Sequence, residues 1–345
     1  MSKKEQSQTL YRKYRPSKFD EVIGQEHIVS VLQNALSKNS ISHAYLFHGG
    51  RGTGKTSVAR ILAKELGTTL NDLYEIDAAS NRGIDDIREL REGVRTVPFE
   101  SKYKVYIIDE AHMLTKEAWN ALLKTLEEPP AHAIFVLATT ELHKVPDTII
   151  SRSEVYTFKE PTSTTLKDVV KDVATKEGYI IDSGTAELIA LLGEGSFRDT
   201  LSILQKVVSG IENNKILEDD VERLLGTPKK SLIREFVEVF IKKDSKKSLD
   251  VFRRSRELGI DTKLFLKLVL HMIRLGLLLK ISSTSKEFVS NHASREDVDF
   301  LINLVDRYKK EFNSKTLDAL LKAYSTVAIS PIPELPVEMA ISELE

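Results

Sequence analysis

The stretch Ala44-Tyr-Leu-Phe-His-Gly49-Gly-Arg-Gly-Thr-Gly54-Lys55-Thr56-Ser-Val58 decides how the chain is read. Ala44–His48 is an apolar run of strand length, and Val58, Ile61, Leu62 and Leu66 recur at helical spacing over Thr56–Leu66. Between them, Gly49 to Thr56 fits G-x-x-x-x-G-K-[ST] in the strand–loop–helix context that this phosphate-binding pattern requires. Glycine lets the backbone curl until its N–H groups converge on phosphate oxygens, and the helix N-terminus adds partial positive charge. Gly49, Gly50, Arg51, Gly52, Thr53, Gly54, Lys55, Thr56 and Ser57 are therefore the candidate phosphate-binding residues. Lys55 would reach the β/γ-phosphates, and the Thr56 hydroxyl would hold Mg²⁺.

Further along, the apolar strand Val105–Ile108 delivers two adjacent carboxylates, Asp109 and Glu110, to its carboxyl end. Asp109 can position the metal, and Glu110 can polarise a water against the γ-phosphate. Together the two motifs specify nucleoside triphosphate hydrolysis. The sole Asn-Lys pair, Asn214-Lys215, lacks the Asp two residues on that a guanine-reading loop needs, since position 217 is Leu; ATP is the expected nucleotide. Asp109-Glu-Ala-His112 also spells a helicase motif, but no strands after Pro161 are available for a second helicase lobe.

Strand candidates at Ala44–His48, Leu73–Ile76, Val105–Ile108, Ile134–Ala138 and Val155–Phe158 alternate with amphipathic helices such as Gln25–Ser37. Such alternation predicts an α/β fold, a parallel sheet with helices on both faces and ligands at the carboxyl ends of its strands. Beyond Pro161 the pattern turns helical. Residues 161–226 read as a small helical lid and 227–345 as an all-helical collar domain, with Gly226-Thr-Pro228 as the break. In the collar, Ile233, Phe236, Val237, Phe240 and Ile241 form a stripe, and Thr262–Ile281 is apolar on most faces. His112, Trp119, Leu122, Leu123 and Leu126 read as packing, with no catalytic role.

Composition narrows the classes further. A length of 345 residues accommodates two or three domains at about 150 residues each. Fifty Lys+Arg against fifty-one Asp+Glu give a net charge of −1, which argues against a globally basic nucleic-acid coat protein but allows a local basic surface. The absence of cysteine removes disulfides, thiolate nucleophiles and cysteine-ligated zinc. The N-terminus has no apolar core for a secretory signal, and Lys267, His271, Arg274 and Lys280 break the most apolar stretch, so a cytoplasmic protein without a membrane partner is expected. The basic run Lys242–Arg256 lies on an amphipathic helix and reads as a solvated face.

Several segments extend beyond the nucleotide motifs: Leu10-Tyr-Arg-Lys-Tyr-Arg-Pro16, Phe19-Asp-Glu-Val-Ile-Gly-Gln-Glu26, Glu75-Ile-Asp-Ala-Ala-Ser80, Asn120-Ala-Leu-Leu-Lys-Thr-Leu-Glu-Glu-Pro-Pro130 and Gly195-Ser-Phe-Arg-Asp199. Together they closely resemble the gamma/tau family of bacterial DNA polymerase III, the AAA+ ATPases of the sliding-clamp loader. The resemblance runs from Leu10 to the C-terminus, where the chain stops as the shorter gamma form does. It implies an ATP-hydrolysing motor that loads the sliding clamp onto primer–template DNA, within the polymerase holoenzyme. The implied partners are delta- and delta-prime-type companion subunits and further copies of the chain.

Carried over by position, the resemblance makes Thr140 sensor 1 and Arg152 an arginine finger that acts on ATP of a neighbouring subunit. Arg198 becomes sensor 2, while Arg15, Pro16, Val22 and Ile23 line the adenine pocket. Arg82, Arg88, Lys144 and Thr148 occupy positions that face DNA. Family members usually carry a four-cysteine zinc module where this chain passes directly from Leu66 to Leu73, and Ser153 replaces the usual Cys, so no structural zinc is expected. Two alternatives stand beside this reading. One is a non-hydrolysing scaffold of the delta-prime type; the other is an AAA+ DNA motor such as a branch-migration helicase.

Overall fold

Side chains that alternate along five short strands explain the first part of the molecule. The computed structural model describes residues 8–81, 84–281, 289 and 293–344. Strands β1 (Ala44–Gly49), β2 (Leu73–Asp77), β3 (Lys104–Asp109), β4 (Ala133–Thr139) and β5 (Glu154–Phe158) form one parallel sheet in the order β2-β3-β4-β1-β5. With them run helices α1 (Leu10–Lys13), α2 (Glu26–Ser37), α3 (Lys55–Glu65), α4 (Ile84–Arg95), α5 (Lys116–Glu127) and α6 (Asp147–Ile150). Each strand lies where the apolar runs predict it, to within one residue at either end.

Successive strand residues point to opposite faces. Tyr45, Phe47, Val105, Ile107, Ile134 and Val136 therefore pack on one side with Ile28, Val29 and Leu32 of α2 and Val58, Ile61 and Leu62 of α3. Residues one step away, Ala44, Leu46, Tyr106, Ile108, Phe135 and Leu137, pack on the other with Ile87, Leu90 and Val94 of α4 and Trp119 and Leu122 of α5. Burial on both faces is why these strands read as unbroken apolar runs. Each large side chain so buried contributes about 1.5–3 kcal/mol. The register aligns His48 with Thr139 and Asp77 with Asp109, so the carboxyl ends of β1, β3 and β4 form one edge. Where the family's zinc module would sit, only the short turn Leu70–Asp72 separates α3 from β2.

The chain divides into two compact units. One runs to Leu166 and takes in Ala190–Ile203; the other takes Lys167–Ile189 and the described chain from Leu204 onward. The second unit is helical, with one departure from expectation: Ile180–Ile181 pairs in parallel with Lys215–Ile216. Two residues are too few for a strand to show alternation in sequence.

The stripe Ile233, Phe236, Val237, Phe240 and Ile241 is buried, with Phe252, Phe265, Ile273, Leu301 and Leu320 in the same core. Phe236 and Phe265 meet edge to face at 5.0 Å between ring centroids. Gly276 lets the Phe312 ring lie against the Thr262–Ile281 helix, where a Cβ would collide with it. A buried ionic node adds polar specificity: Lys230 Nζ lies 2.6 Å from Glu218 Oε1 and 2.9 Å from Asp297 Oδ2, and Arg234 Nε lies 2.6 Å from Asp297 Oδ1. In the basic run, Lys242, Lys247, Arg254 and Arg256 pair with Glu238, Asp244, Glu235 and Glu334, as a solvated face would. Among the described residues no helix is long and apolar enough to cross a membrane.

Candidate nucleotide site

The loop between β1 and α3 is shaped by glycines. Gly52 (φ +69°) and Gly54 (φ +104°) adopt left-handed backbone that other residues resist, and a Cβ on Gly52 would overlap Ser196 Oγ. Gly54 is the N-cap of α3, and no side chain caps this end, so the first-turn N–H groups are presented to the loop. Thr53 fastens the curl by donating from Oγ1 to Gly50 O at 2.9 Å. Arg51 is exposed, whereas Ser57 is buried in the first turn of α3.

Lys55 is only 6% exposed, and its Nζ donates to Gly49 O at 2.9 Å and Gly50 O at 2.8 Å. Burial lowers its pKa from the usual lysine value, opposed by Glu110 and Asp109 and reinforced by Arg198. A cation held by carbonyls inside a glycine cradle is a fitting seat for phosphate.

The metal-binding pair also converges. Thr56 Oγ1 donates to Asp109 Oδ2 at 2.7 Å, joining α3 to the end of β3. A hydroxyl and a carboxylate side by side are the oxygen donors Mg²⁺ prefers. Glu110 follows in left-handed backbone (φ +49°), an uncommon conformation for a non-glycine residue, and its N–H donates to Asp109 Oδ1 at 3.0 Å. Thr140, just past β4, donates from Oγ1 to Glu110 Oε2 at 3.3 Å. Lys55, Thr56, Asp109, Glu110 and Thr140 are therefore one constellation.

Arg198 and Arg15 belong to the same neighbourhood. Phe197 N–H donates to Gly52 O at 3.1 Å, which seats the segment bearing Arg198 on the loop. Arg15 has its pKa lowered by burial, then by the charges of Arg60 and Arg198. Arg15, Pro16 and Val22 are half-buried, and Ile23 is 49% exposed, an apolar side chain left open to a ligand.

Other expected residues lie apart. Arg152 donates from Nη1 to Thr148 O at 2.9 Å and pairs through Nη2 with Glu127 at 3.1 Å. Among the described residues no hydrogen bond or ion pair joins it to the glycine loop, Asp109 or Glu110. Lys144 and Thr148 are exposed. Arg82 lies outside the described residues, as does the side chain of Arg88.

Two contributors escaped the sequence reading. Gln25, fully buried, donates to Lys159 O at 2.8 Å and Thr53 O at 3.5 Å and accepts from Lys159 N–H at 3.1 Å, tying the loop to the chain after β5. His112, read as packing, has a buried ring but stands between Glu110 and Glu141. The one legible hint was Gln25's place in the Ile23-Gly-Gln-Glu26 segment.

Comparison with known proteins adds family to geometry. Residues 24–75 and 67–162 match the DNA polymerase III delta subunit family model, and residues 216–344 match that of DNA polymerase III subunits gamma and tau domain III. DNA polymerase III subunit tau of Bacillus subtilis is 48% identical over 223 residues, covering 59% of this chain and 40% of that protein. The gamma/tau subunit of Mycobacterium bovis is 37% identical over 94% of this chain and 59% of its own length. The chain thus spans about two fifths to three fifths of these longer relatives.

The gamma subunit of Buchnera aphidicola from Acyrthosiphon pisum is 33% identical, with 97% of both chains covered. Among solved structures, the Thermotoga maritima RuvB branch migration motor superposes with a TM-score of 0.53 at 24% identity, over 66% of this chain and 79% of that one, a likeness of fold. A glycine-cradled lysine, a Thr–Asp metal pair and the matched C-terminal helices coincide with identity across nearly the whole Buchnera subunit; the chain belongs to the DNA polymerase III gamma/tau subunit family.

Proposed function

We propose that this chain is an ATP-hydrolysing motor subunit of a clamp loader, acting with delta- and delta-prime-type companions and copies of itself to place a sliding clamp on primer–template DNA. The observation that carries the reading is the Lys55–Thr56–Asp109–Glu110 constellation at the carboxyl ends of β1 and β3, within a gamma/tau family chain. It disfavours the non-hydrolysing scaffold, whose glycine loop would not need to work. The matched C-terminal helices disfavour a branch-migration motor.

In this reading the α3 N-terminus and the loop N–H groups orient the triphosphate, and Lys55 balances the charge of its β and γ groups. Thr56 and Asp109 hold Mg²⁺, which supplies electrophilic polarisation of the phosphate oxygens. Glu110 orients the attacking water, and Thr140 fixes the Glu110 carboxylate. Arg15, Pro16, Val22 and Ile23 border the adenine. Residues 161–226 act as a lid reporting through Arg198, and residues 227–345 as a collar. Arg152, paired only with Glu127 and its own turn among the described residues, acts on a neighbour's nucleotide, so turnover waits on assembly. Lys144 and Thr148, with Arg82 and Arg88, contact DNA phosphates, which carry charge and no sequence code.

The deciding experiment is ATP turnover of the chain with and without companion subunits, clamp and primed DNA. Stimulation by the complete set is expected. Arg152→Ala should preserve ATP binding and remove the stimulated rate by about 10³-fold or more. Unchanged stimulated turnover in that variant would refute the trans role, and absence of ATP binding by the parent chain would restore the scaffold reading.

A further inference from the structure

The His112 side chain is 8% exposed, and both its ring nitrogens face carboxylates. Nδ1 lies 3.1 Å from Thr139 Oγ1 and 3.5 Å from Glu110 Oε2, while Nε2 lies 3.4 Å from Glu141 Oε1. Thr139 Oγ1 accepts the Glu141 N–H at 3.0 Å. Lys144 Nζ reaches both Glu141 oxygens, Oε1 at 3.0 Å and Oε2 at 2.8 Å, and this hydrogen bond holds the Glu141 carboxyl below its ordinary range. His143 Nε2 is 3.6 Å from the same carboxylate. A continuous line therefore runs from Glu110 through His112 and Glu141 to the half-exposed Lys144.

A neutral imidazole owns one N–H and serves one carboxylate at a time. With the hydrogen on Nδ1 it points toward Thr139 and Glu110. With the hydrogen on Nε2 it points to Glu141, and the Thr139 hydroxyl donates to Nδ1 instead. Which carboxylate wins depends on how well each is otherwise satisfied. Lys144 satisfies Glu141 in this structure, leaving the hydrogen to the Glu110 side.

We propose that His112 is a positioning residue that tethers Glu110 while Lys144 is paired with Glu141, and releases it when a nucleic-acid phosphate takes Lys144. The inference rests on Glu110 being the water-orienting carboxylate. Stripped of its cation, Glu141 draws the imidazole hydrogen to Nε2. The exchange runs through water, one proton leaving Nδ1 and one arriving at Nε2. The bare Nδ1 then repels Glu110, which is left to Thr140 and to water. Anion binding at Lys144 thereby becomes a rate signal, with no movement of the sheet required.

The test uses the loader assembled from this chain, its companion subunits and the clamp, with a primer–template oligonucleotide as probe. Lys144→Met should mimic the captured state, raising DNA-free kcat about five-fold or more at unchanged KM for ATP. His112→Asn keeps a polar atom near Nδ1 but cannot reach Glu141, so Lys144→Met added to it should have no further effect. Ring ¹⁵N spectra, with the His112 signals assigned by their loss in His112→Asn, should show the hydrogen passing from Nδ1 to Nε2 when the oligonucleotide is added.

Fluorescent-nucleotide binding verifies that each variant is folded. If the parent assembly is stimulated by DNA while Lys144→Met leaves DNA-free kcat unchanged, or if the two substitutions act additively, the relay is wrong and the motor reading survives. If the parent assembly neither binds nor hydrolyses ATP, both fall.

Discussion

Lys55 and Lys230 are both drawn out of solvent, yet the protein treats them oppositely. Lys55 is met by two backbone carbonyls, and burial pushes its pKa down. Lys230 also suffers desolvation, but Asp297 and Glu218 outweigh it and push its pKa up. Within that node the carboxylates differ: Asp297, with Lys230, Ser294 and Arg234 overcoming burial, sits below its ordinary value, whereas burial wins at Glu218 and raises it. A lysine whose counter-charge is built in serves the fold, and one whose counter-charge is left out is kept for a ligand.

Substitutions can break this contrast. The largest effect is expected for Lys55→Ala, which should lower nucleotide turnover by about 10²–10³-fold, with denaturant unfolding near that of the parent. A large loss of stability would show that Lys55 is structural after all. Lys230→Met should do the reverse. It strands Asp297, 4% exposed, with Arg234 alone, at a cost of about 2–3 kcal/mol in urea unfolding, and ATP binding measured by calorimetry should be retained.

The pH dependence sharpens the same distinction. Because Asp297 is held below 3.8, its stabilising contribution is present above that value and is lost as pH falls through its depressed pKa. Lys230, raised above 10.5, contributes fully below that value and ceases to do so as pH rises past its own. Thermal melts from pH 2 to 12 should show both losses in the parent and a weakened alkaline loss in Lys230→Met. The smallest effect is expected at the surface pair Arg60–Glu75, with side chains 42% and 34% exposed: Arg60→Ala should cost about 0.2–1 kcal/mol, and less in high salt.

The sheet was legible because β1, β3 and β4 are buried on both faces and write their burial into consecutive apolar letters. The glycine loop was legible because Gly52 and Gly54 occupy conformations few other residues tolerate. Gln25 was not, since its partner Lys159 lies 134 positions away and nothing local marks a side chain that will satisfy two backbone groups. His112 looked like packing because burial is half of its description; the other half depends on β3 and β4 bringing Glu110 beside Glu141. Arg152 and the DNA-facing residues entered through family likeness, and their roles depend on other molecules.

The Gly52 carbonyl is already committed to the Phe197 N–H, and the space beside Gly52 is filled by Ser196. Any breathing of the glycine loop is therefore mechanically spliced to the Gly193–Arg198 strip. Susceptibility of that strip to a soft protease should rise and fall with occupancy of the cradle, making the backbone itself a gauge of nucleotide.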